Sequence, residues 1–409
     1  MTFKALSMLT LGLFVAACGV DTLGPEHPVD RLDYPVAVTA DPSGEVLWVT
    51  SGDFDLAYEG GAVMGIDVRT HAFIPGAAAE VGAFPGAFRI LSRDGKSAHG
   101  YVLSRSTDEI YHLRIGWDAQ DRPSLDCDEG EVTETGLVRC TRTGTSERTV
   151  GDVTLTLGSD PFGALIHTAR AAGGPDLLLT TAMGDGKLST FELGDDGVPT
   201  LVGGMTLSAG LFALARDPHT DRIYSTSKSV NTLQILEVAE TATADVENPY
   251  VEKVDDLVLP AAVAADHARG LAFNGDGSRL LVLHRSPNAV VIVDTHMNGI
   301  GAGEDQVIAK VPVGSSPGEI LVTPPYGGLP ELAYVSCFGS DRVDVIDPAL
   351  GLVVATIRTG RGPFGLAFIH NPSAGIRRLY VVNFHAQSLG VIELDPASPY
   401  FHTEVAEIR

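Results

Sequence analysis

Positive charge is scarce in this sequence. Lysine and arginine together number 28 among 409 residues, against 52 aspartates and glutamates, which gives a formal net charge of −24. Proteins that bind nucleic acid neutralise its phosphates with a basic stripe, and this chain has none. The same deficit argues against adsorption to anionic lipid headgroups by charge alone. The acidic balance is otherwise consistent with solubility outside the cytoplasm.

The chain also lacks sustained helical periodicity and the short motifs of common catalytic sites. The absence of apolar residues at helical spacing disfavours α/β and helical-repeat folds. Gly-x-Ser-x-Gly does not occur as a nucleophile elbow, and glycine-rich pieces such as Gly184-Asp185-Gly186 are typical of hairpin turns. No His-x-x-x-His or Cys/His spacing indicates a metal site. We therefore predict no catalytic residue, no metal ligand and no cofactor.

The chain does contain one sequence repeat, which occurs seven times. Each copy has a turn, an apolar strand, a second strand that mostly ends in a small polar residue, and a third strand that ends in an acidic residue in every copy but the second. Successive copies are mostly roughly fifty residues apart, a period typical of folds built from one small repeated sheet. The residues that begin the first strand of each copy are Pro35, Pro85, Pro161, Leu211, Ala268, Pro317 and Pro363.

The clearest copy allows four strands to be counted. Its first strand begins at Pro317, and the next three strands are residues 333–337, 342–347 and 353–357. The turn Gly362-Pro363-Phe364-Gly365 then begins the next copy. Short runs of Val, Ile, Leu and Tyr between Gly, Pro, Asp and Asn indicate strands joined by tight turns. We predict an all-β fold, a seven-bladed β-propeller of four-stranded antiparallel blades over 34–409, because radial repetition leaves only short sheet edges.

The repeated phrases Tyr334-Val335-Ser336-Cys337 and Tyr380-Val381-Val382-Asn383 resemble the YVTN family of β-propeller repeats. The resemblance covers residues 34–409 and is strongest in the last two blades. It implies the propeller fold and little about activity, since the family motif consists of strand and turn residues. Similar proteins include archaeal surface-layer repeats, lactonase-like propellers and bacterial lipoproteins.

The N-terminus resembles that of a bacterial lipoprotein. Lys4 precedes an apolar stretch too short for a stable membrane anchor, and Val15-Ala16-Ala17-Cys18 resembles a lipobox. Residues 1–18 are thus predicted to be a signal peptide with lipidation at Cys18, and 19–33 a tether; an ordinary secretory peptide with a chance cysteine is the alternative. Gly19 favours sorting to the outer membrane, which places the protein in the cell envelope, on the periplasmic or surface face.

Blade 2 departs from the repeat by an insertion over about 117–151. It carries Cys127 and Cys140, which we predict to form a disulfide worth on the order of 3 kcal/mol, because export permits oxidation. Cys337 is predicted to be an unpaired, half-buried thiol. The acidic insertion is either a recognition arm or a tolerated surface hairpin.

In a propeller of this kind, the turns before first strands and after second strands meet on one rim around the channel. A mixed rim of His, Arg and Asp is able to bind an anionic metabolite or a peptide, although solvated charges at turns are common without function. Asp53 and Asp55 are also candidates for a calcium site, but they belong to no complete loop of the EF-hand kind. The predicted ligand-binding rim residues are Arg105, Asp185, Lys228, His267, Arg269, His284, Arg285, Arg361 and His385.

The sequence thus favours a lipid-anchored extracytoplasmic binding or scaffolding module for a protein or envelope component, without nucleic-acid partners. An alternative is a lactonase-like or metal-dependent hydrolase at the channel mouth, with His267, His284 or His385 converging in one pocket. A third class is a structural surface protein.

Overall fold

The structure is a computed structural model that describes residues 24–93, 97–117, 122–127, 130–140, 147–150, 152–170, 173–260, 268–295 and 305–409. The predicted signal peptide, its lipidation residue Cys18 and the rim residue His267 lie outside the described residues. Within the described part of the chain, the helices are two 3₁₀ turns, Phe338–Ser340 and Pro372–Ala374. None of the described helices has the length and hydrophobicity needed to span a membrane.

The strands of the first two blades and of the segment that follows them are β1 Pro35–Ala40, β2 Val46–Ser51, β3 Gly61–Asp67, β4 Phe73–Val81, β5 Pro85–Ser92, β6 Ala98–Ser104, β7 Glu109–Trp117, β8 Pro123–Asp126, β9 Gly130–Val132, β10 Val138–Cys140, β11 Glu147–Val150 and β12 Val153–Thr156. The third to fifth blades consist of β13 Pro161–His167, β14 Asp176–Ala182, β15 Lys187–Leu193, β16 Pro199–Thr206, β17 Leu211–Arg216, β18 Arg222–Ser227, β19 Thr232–Val238, β20 Val251–Val258, β21 Ala268–Phe273, β22 Arg279–Arg285, β23 Asn288–Asp294 and β24 Gln306–Pro312. The last two blades consist of β25 Pro317–Thr323, β26 Leu332–Cys337, β27 Arg342–Asp347, β28 Leu352–Arg358, β29 Pro363–Asn371, β30 Ile376–Asn383, β31 Ser388–Glu393 and β32 Glu404–Ile408.

Seven antiparallel four-stranded blades follow one another along the chain, which confirms the predicted seven-bladed β-propeller. The first strand of every blade lies innermost and packs beside the first strands of its neighbours, including β29 of blade 7 against β1 of blade 1. Every blade is built from one continuous stretch of chain, and blade 7 ends with β32. The ring is therefore closed by packing between blades 7 and 1, not by a sheet shared between the two ends of the chain.

Glycines near the start of the inner strands let adjacent blades approach closely. A Cβ atom on Gly163 would lie 2.1 Å from the carbonyl oxygen of Phe212 in the next blade. On Gly365 it would lie 2.7 Å from the carbonyl oxygen of Val36, across the closing contact between blades 7 and 1. Because real Cβ contacts of this length do not occur, glycine is required at Gly163 and Gly365 by blade-to-blade packing.

A hydroxyl residue next to the end of the second strand also has a structural role. In blade 3, the first strand is bulged between Pro161 and Gly163, and Gly163 lies opposite Thr181 of the second strand. Thr181 Oγ1 accepts a hydrogen bond from that amide at 3.0 Å and donates one to the Phe212 carbonyl of the next blade at 2.8 Å. In blade 4, Thr226 Oγ1 donates in the same way to the Arg269 carbonyl, at 2.7 Å. The repeated hydroxyl therefore satisfies buried backbone groups.

The insertion of blade 2 is docked on the propeller. Strand β8 completes blade 2 as its fourth strand, so the additional segment begins after Asp126. Strand β10 then pairs in parallel with β4, the outer strand of blade 1. The predicted disulfide between Cys127 and Cys140 is confirmed, with a Cα–Cα distance of 5.8 Å, and it ties the end of β8 to β10. Cys337 is unpaired as predicted, but it is fully buried rather than half-buried.

Residues 24–33, the described part of the predicted tether, pack against blade 1. Leu32 is buried in the core between blades 7 and 1. The Asp33 amide donates to Ser51 Oγ at 2.7 Å, and the Gly52 amide donates to the Asp33 carbonyl at 2.7 Å. This part of the chain is therefore an ordered strap across blade 1.

Candidate ligand-binding mouth of the channel

One rim of the propeller carries the turns that precede each inner strand and the loops that follow each second strand. The register places Pro35 opposite Ser51 and Pro161 opposite Ala182, so these ends of the strands coincide. The residue before the inner strand has a positive φ in the six blades where it is described: Tyr34, Phe84, Asp160, Gly210, Ser316 and Gly362.

The chain contains one Gly-x-Ser-x-Gly sequence, at 314–318, and it coincides with this repeated turn. Its central residue, Ser316, has φ +53°, which is also a feature of nucleophile elbows. Here the same backbone conformation recurs in five other blades, and the chain continues into strand β25 rather than a helix. We therefore assign Ser316 to the turn of the repeat and not to catalysis.

Aromatic side chains surround the channel at this rim. Three of them are the second residues of the inner strands of blades 3, 4 and 7, and the others come from the adjoining turns and loops of blades 1, 2, 6 and 7. Seven of the eight rings are half-buried, and that of Phe212 is buried. We call this set the aromatic mouth: Tyr34, Phe54, Phe84, Phe162, Phe212, Phe338, Phe364 and Phe384.

The rings of the aromatic mouth form a nearly continuous surface. The ring of Phe54 lies 4.8 Å from that of Phe84 and 4.9 Å from that of Phe384. Phe338 lies 6.1 Å from Phe384 and 6.4 Å from Phe364. These centroid distances are those of aromatic pairs in direct interaction. The mouth is therefore apolar at its centre, whereas the sequence predicted a rim of charges.

The predicted arginines flank the apolar centre. Arg105 pairs with Asp160 at 2.6 Å, and its guanidinium lies 5.8 Å from the centre of the Phe162 ring. The guanidinium of Arg269, which is buried, lies 5.1 Å from the ring of Phe212. Both arginines thus make cation–π contacts with members of the aromatic mouth.

The other described rim residues are distributed around the ring. Lys228 is half-buried after β18, and Arg285 Nε donates to the Pro317 carbonyl at 3.0 Å. Arg361 donates to the His385 carbonyl at 3.3 Å. Asp185 is exposed and accepts hydrogen bonds from backbone amides of its own turn and of Ser159, so it stabilises the turn. Lys228, Arg269, Arg285 and Arg361 form a basic arc over blades 4 to 7.

The two described rim histidines are in different environments. His284 is fully buried in blade 5, where its ring contacts Asn231 Oδ1 at 3.3 Å and the Pro287 carbonyl at 3.4 Å. His385 is exposed in blade 7, and its ring lies 5.0 Å from that of Phe338. Among the described residues, the group with metal-ligand spacing contains neither histidine.

Beneath the aromatic mouth, the channel contains a cavity of about 120 Å³ with one acid and one base. Arg89 and Glu319 line this cavity and also the opening at the other end of the channel. Arg89 Nε donates to the Ala164 carbonyl at 2.8 Å. Glu319 has no hydrogen bond or ion pair from its carboxylate to another described residue. Burial raises the pKa of Glu319, and the charge of Arg89 opposes that rise.

A second polar cluster lies beside Phe54. It consists of Asp33, Asp53 and Asp55, each of which places a carboxylate oxygen within 4.8 Å of the others. Asp33 and Asp53 are buried, with exposed fractions of 7% and 1%, and Asp55 is exposed. Burial, followed by the charges of Asp55 and Asp53, raises the pKa of Asp33 to about 6. Burial also raises the pKa of Asp53.

Part of this site was accessible from the sequence. Phe162, Phe212 and Phe364 all follow the first residue of an inner strand, and this shared position was a signal for an aromatic ring around the channel. Arg89 and Glu319 have no such signal, because each occupies a repeat position filled by small or apolar residues in other blades. Asp33 was assigned to the tether and so was not connected with Asp53 and Asp55.

The fold and the mouth define a β-propeller with an aromatic entrance to its channel, and solved structures share that fold. A proposed 6-phosphogluconolactonase from Bacteroides fragilis is 16% identical, with a TM-score of 0.60 over 92% of this chain and 94% of its own. The periplasmic gluconolactonase of Pseudomonas aeruginosa is 17% identical, with a TM-score of 0.57 over 82% and 88%. Hydrazine synthase of Kuenenia stuttgartiensis is 16% identical, with a TM-score of 0.58 over 88% and 96%.

At these identities the likeness shows the fold alone. No family model matches the sequence, and no curated protein matches it. The resemblance to YVTN repeats thus continues to depend on the motifs themselves.

Proposed function

We propose that this protein is a binding module whose aromatic mouth holds a segment of a partner protein that presents an apolar side chain next to an acidic one. The observation that carries this proposal is the aromatic mouth itself. Half-buried phenylalanine rings from several blades converge at one place on an acidic protein. Clusters of accessible aromatic residues are typical of the energetic centres of binding sites.

The size and charge of the mouth favour a peptide segment as the ligand. The cavity of about 120 Å³ below the rings accommodates a side chain rather than a folded domain. The basic arc of Lys228, Arg269, Arg285 and Arg361 lies on the side of blades 4 to 7, where it would attract an acidic group. On a chain with a net charge of −24, these four basic side chains would orient such a segment.

We predict that the Phe384→Ala and Phe338→Ala variants lose peptide binding. Selection from a random peptide library should enrich sequences with an apolar residue beside Asp or Glu. Removal of one central ring should weaken the enriched peptides by about 30-fold, since an aromatic hot spot contributes about 2 kcal/mol. The measurement is the dissociation constant by fluorescence anisotropy.

The matched control is Tyr326→Ala. Tyr326 is 37% exposed in the loop between β25 and β26, on the opposite rim, and the Arg377 guanidinium lies 4.3 Å from its ring. This change removes an aromatic side chain with a cation–π contact but should leave binding unchanged. Equal losses in Tyr326→Ala and Phe384→Ala, or no enriched peptide, would refute the role of the mouth.

We also propose that a lipid on Cys18 holds the propeller in the bacterial cell envelope, at the outer membrane. The lipobox-like sequence that ends in Cys18 supports this proposal. The Cys18→Ser variant should move from the membrane fraction to the soluble fraction, because a net charge of −24 provides no attraction to anionic lipid. Membrane association of that variant in fractionated cells would contradict the anchor.

A second candidate function is hydrolysis of a small lactone in the channel. Glu319, whose carboxylate has no partner among the described residues, and Arg89 support it by facing one cavity. Glu319 would act as the general base that activates water, and Arg89 would stabilise the negative charge that develops on the carbonyl oxygen. Two of the solved structures with this fold are named as lactonases.

The Glu319→Gln variant tests this second candidate. With glucono-δ-lactone as the probe, we expect the wild-type protein to hydrolyse the ring, and Glu319→Gln to reduce kcat by about 100-fold or more. The rate should increase with pH as the carboxylate, whose pKa burial raises, becomes deprotonated. Tyr326→Ala, which lines neither the cavity nor its openings, serves as the control. Equal activity of Glu319→Gln and wild type would remove this candidate.

A further inference from the structure

We propose that Asp33, Asp53 and Asp55 bind one calcium ion, which fastens the N-terminal strap to blade 1 where the ring closes. This inference is independent of the ligand of the aromatic mouth.

The spacing of the three carboxylates fits a calcium ion. Their candidate ligand oxygens all lie within 4.8 Å of one another. Calcium binds oxygen at about 2.3–2.6 Å, so two oxygens on opposite sides of the ion are about 5 Å apart. One ion can therefore contact all three side chains without a change in the backbone. An all-oxygen set of ligands is typical of calcium and magnesium and not of zinc or copper.

Two buried oxygens of this cluster have no partner. Oδ2 of Asp33 and Oδ2 of Asp53 are both inaccessible and make no hydrogen bond within the described residues. Asp33 and Asp53 are more than nine-tenths buried. A buried carboxylate that has no counter-ion and leaves one oxygen unpaired is strongly unfavourable. This pair of oxygens thus indicates a positive charge between them.

Another buried aspartate of the same protein shows how such a group is normally satisfied. Asp344 is fully buried, and its carboxylate accepts hydrogen bonds from the Gly314 amide at 2.8 Å and from Thr356 Oγ1 at 3.1 Å. It also pairs with Arg342 at 2.9 Å. Among the described residues, the acidic cluster receives less: Asp53 Oδ1 accepts from the Tyr58 amide at 3.1 Å and Asp55 Oδ1 from the Ala57 amide at 3.3 Å, while Oδ2 of Asp33 and Oδ2 of Asp53 have no partner. The nearby Arg31 is exposed and donates to the Tyr58 hydroxyl at 2.7 Å.

The position of the cluster gives the ion a structural role. Asp33 is the residue before Tyr34, and Asp53 and Asp55 flank Phe54. The rings of Tyr34 and Phe54 lie 5.3 Å and 4.9 Å from that of Phe384 in blade 7. A bound ion would therefore fix both blade-1 segments that reach blade 7, at the contact that closes the ring by packing alone. It would also hold Phe54 in the aromatic mouth.

Calcium binding can be measured on the full chain after treatment with a chelator. Titration calorimetry should give one calcium ion per chain, and calcium should raise Tm by several degrees, because a ligand of the native state stabilises it by mass action. Asp33→Asn and Asp53→Asn should abolish both effects. In chelator, these variants should be at least as stable as the wild type, since each removes a buried charge. Asp55→Asn, at an exposed position, should fold normally and bind calcium more weakly.

Asp255→Asn is the control, because Asp255 is exposed on the outer strand of blade 4. It should retain the full calcium response. The proposal is overturned if the wild type shows no binding at about 10 mM calcium, which is above the weakest affinities of extracellular calcium sites. It is also overturned if Asp33→Asn and Asp53→Asn respond to calcium as the wild type does, since the ion would then bind elsewhere.

Discussion

The Trp48→Ala variant is expected to lose about 4 kcal/mol of unfolding free energy, the largest effect that we predict for a single side chain. Trp48 lies in β2 and is fully buried in the core between blades 1 and 2, where Val63 and Phe88 belong to the same cluster. Its ring lies so close to Gly65 that a Cβ atom there would be 3.0 Å from it. Truncation would leave a cavity that this tight packing cannot fill.

The second tryptophan of the chain provides the control for Trp48. Trp117 lies partly buried at the end of β7 and packs against the same core. Trp117→Ala should cost about 1 kcal/mol, because little packing is lost at a partly solvated position. Urea denaturation of both variants, followed by circular dichroism, gives the comparison. Equal losses would mean that the core between blades 1 and 2 does not limit stability.

The Gly365→Ala variant is expected to destabilise the protein by about 3 kcal/mol, at the upper end of overpacking effects. One methyl group would be placed 2.7 Å from the Val36 carbonyl oxygen and 3.2 Å from Ala37 Cα. Both neighbours are backbone atoms of blade 1, so relief requires that blades 7 and 1 move apart. The melting temperature and proteolysis of the native state are the measurements.

Gly116→Ala is the corresponding control for Gly365→Ala. Gly116 lies in β7, and a Cβ atom added there would have Ser124 Oγ as its nearest neighbour, at 3.8 Å, which is an ordinary contact. This substitution should change stability by no more than about 0.5 kcal/mol. A Gly365→Ala protein as stable as Gly116→Ala would show that the closing contact tolerates separation.

The sequence was sufficient to predict the architecture because the fold repeats a local pattern. The residues that open the inner strands, from Pro35 to Pro363, were identified by aligning the repeated turns and strands. The disulfide between Cys127 and Cys140 was likewise predictable, since both cysteines lie in one short segment of a chain that we predicted to be exported. The repeated turns and strands can be recognised in the sequence because every blade must form the same four-stranded sheet.

The candidate sites were harder to predict because they depend on what differs between blades. Arg89 and Glu319 line the same cavity in the channel, although 230 positions separate them in the chain. No local sequence pattern links the two residues. The grouping of Asp33 with Asp53 depends on the strap folding back on blade 1, which its composition did not indicate. The parallel pairing of β10 with β4 is non-local in the same sense.

The continuity of every blade along the chain has a consequence for how the molecule forms. Pairing within a blade joins segments that are close in sequence, so each sheet closes only short loops at a small entropic cost. The contact of β29 with β1 is different, because it joins segments from nearly opposite ends of the described chain. We therefore expect the individual blades to form first, as an open arc, during folding. The outward faces of blades 1 and 7 would stay in contact with solvent until these two blades pack against each other.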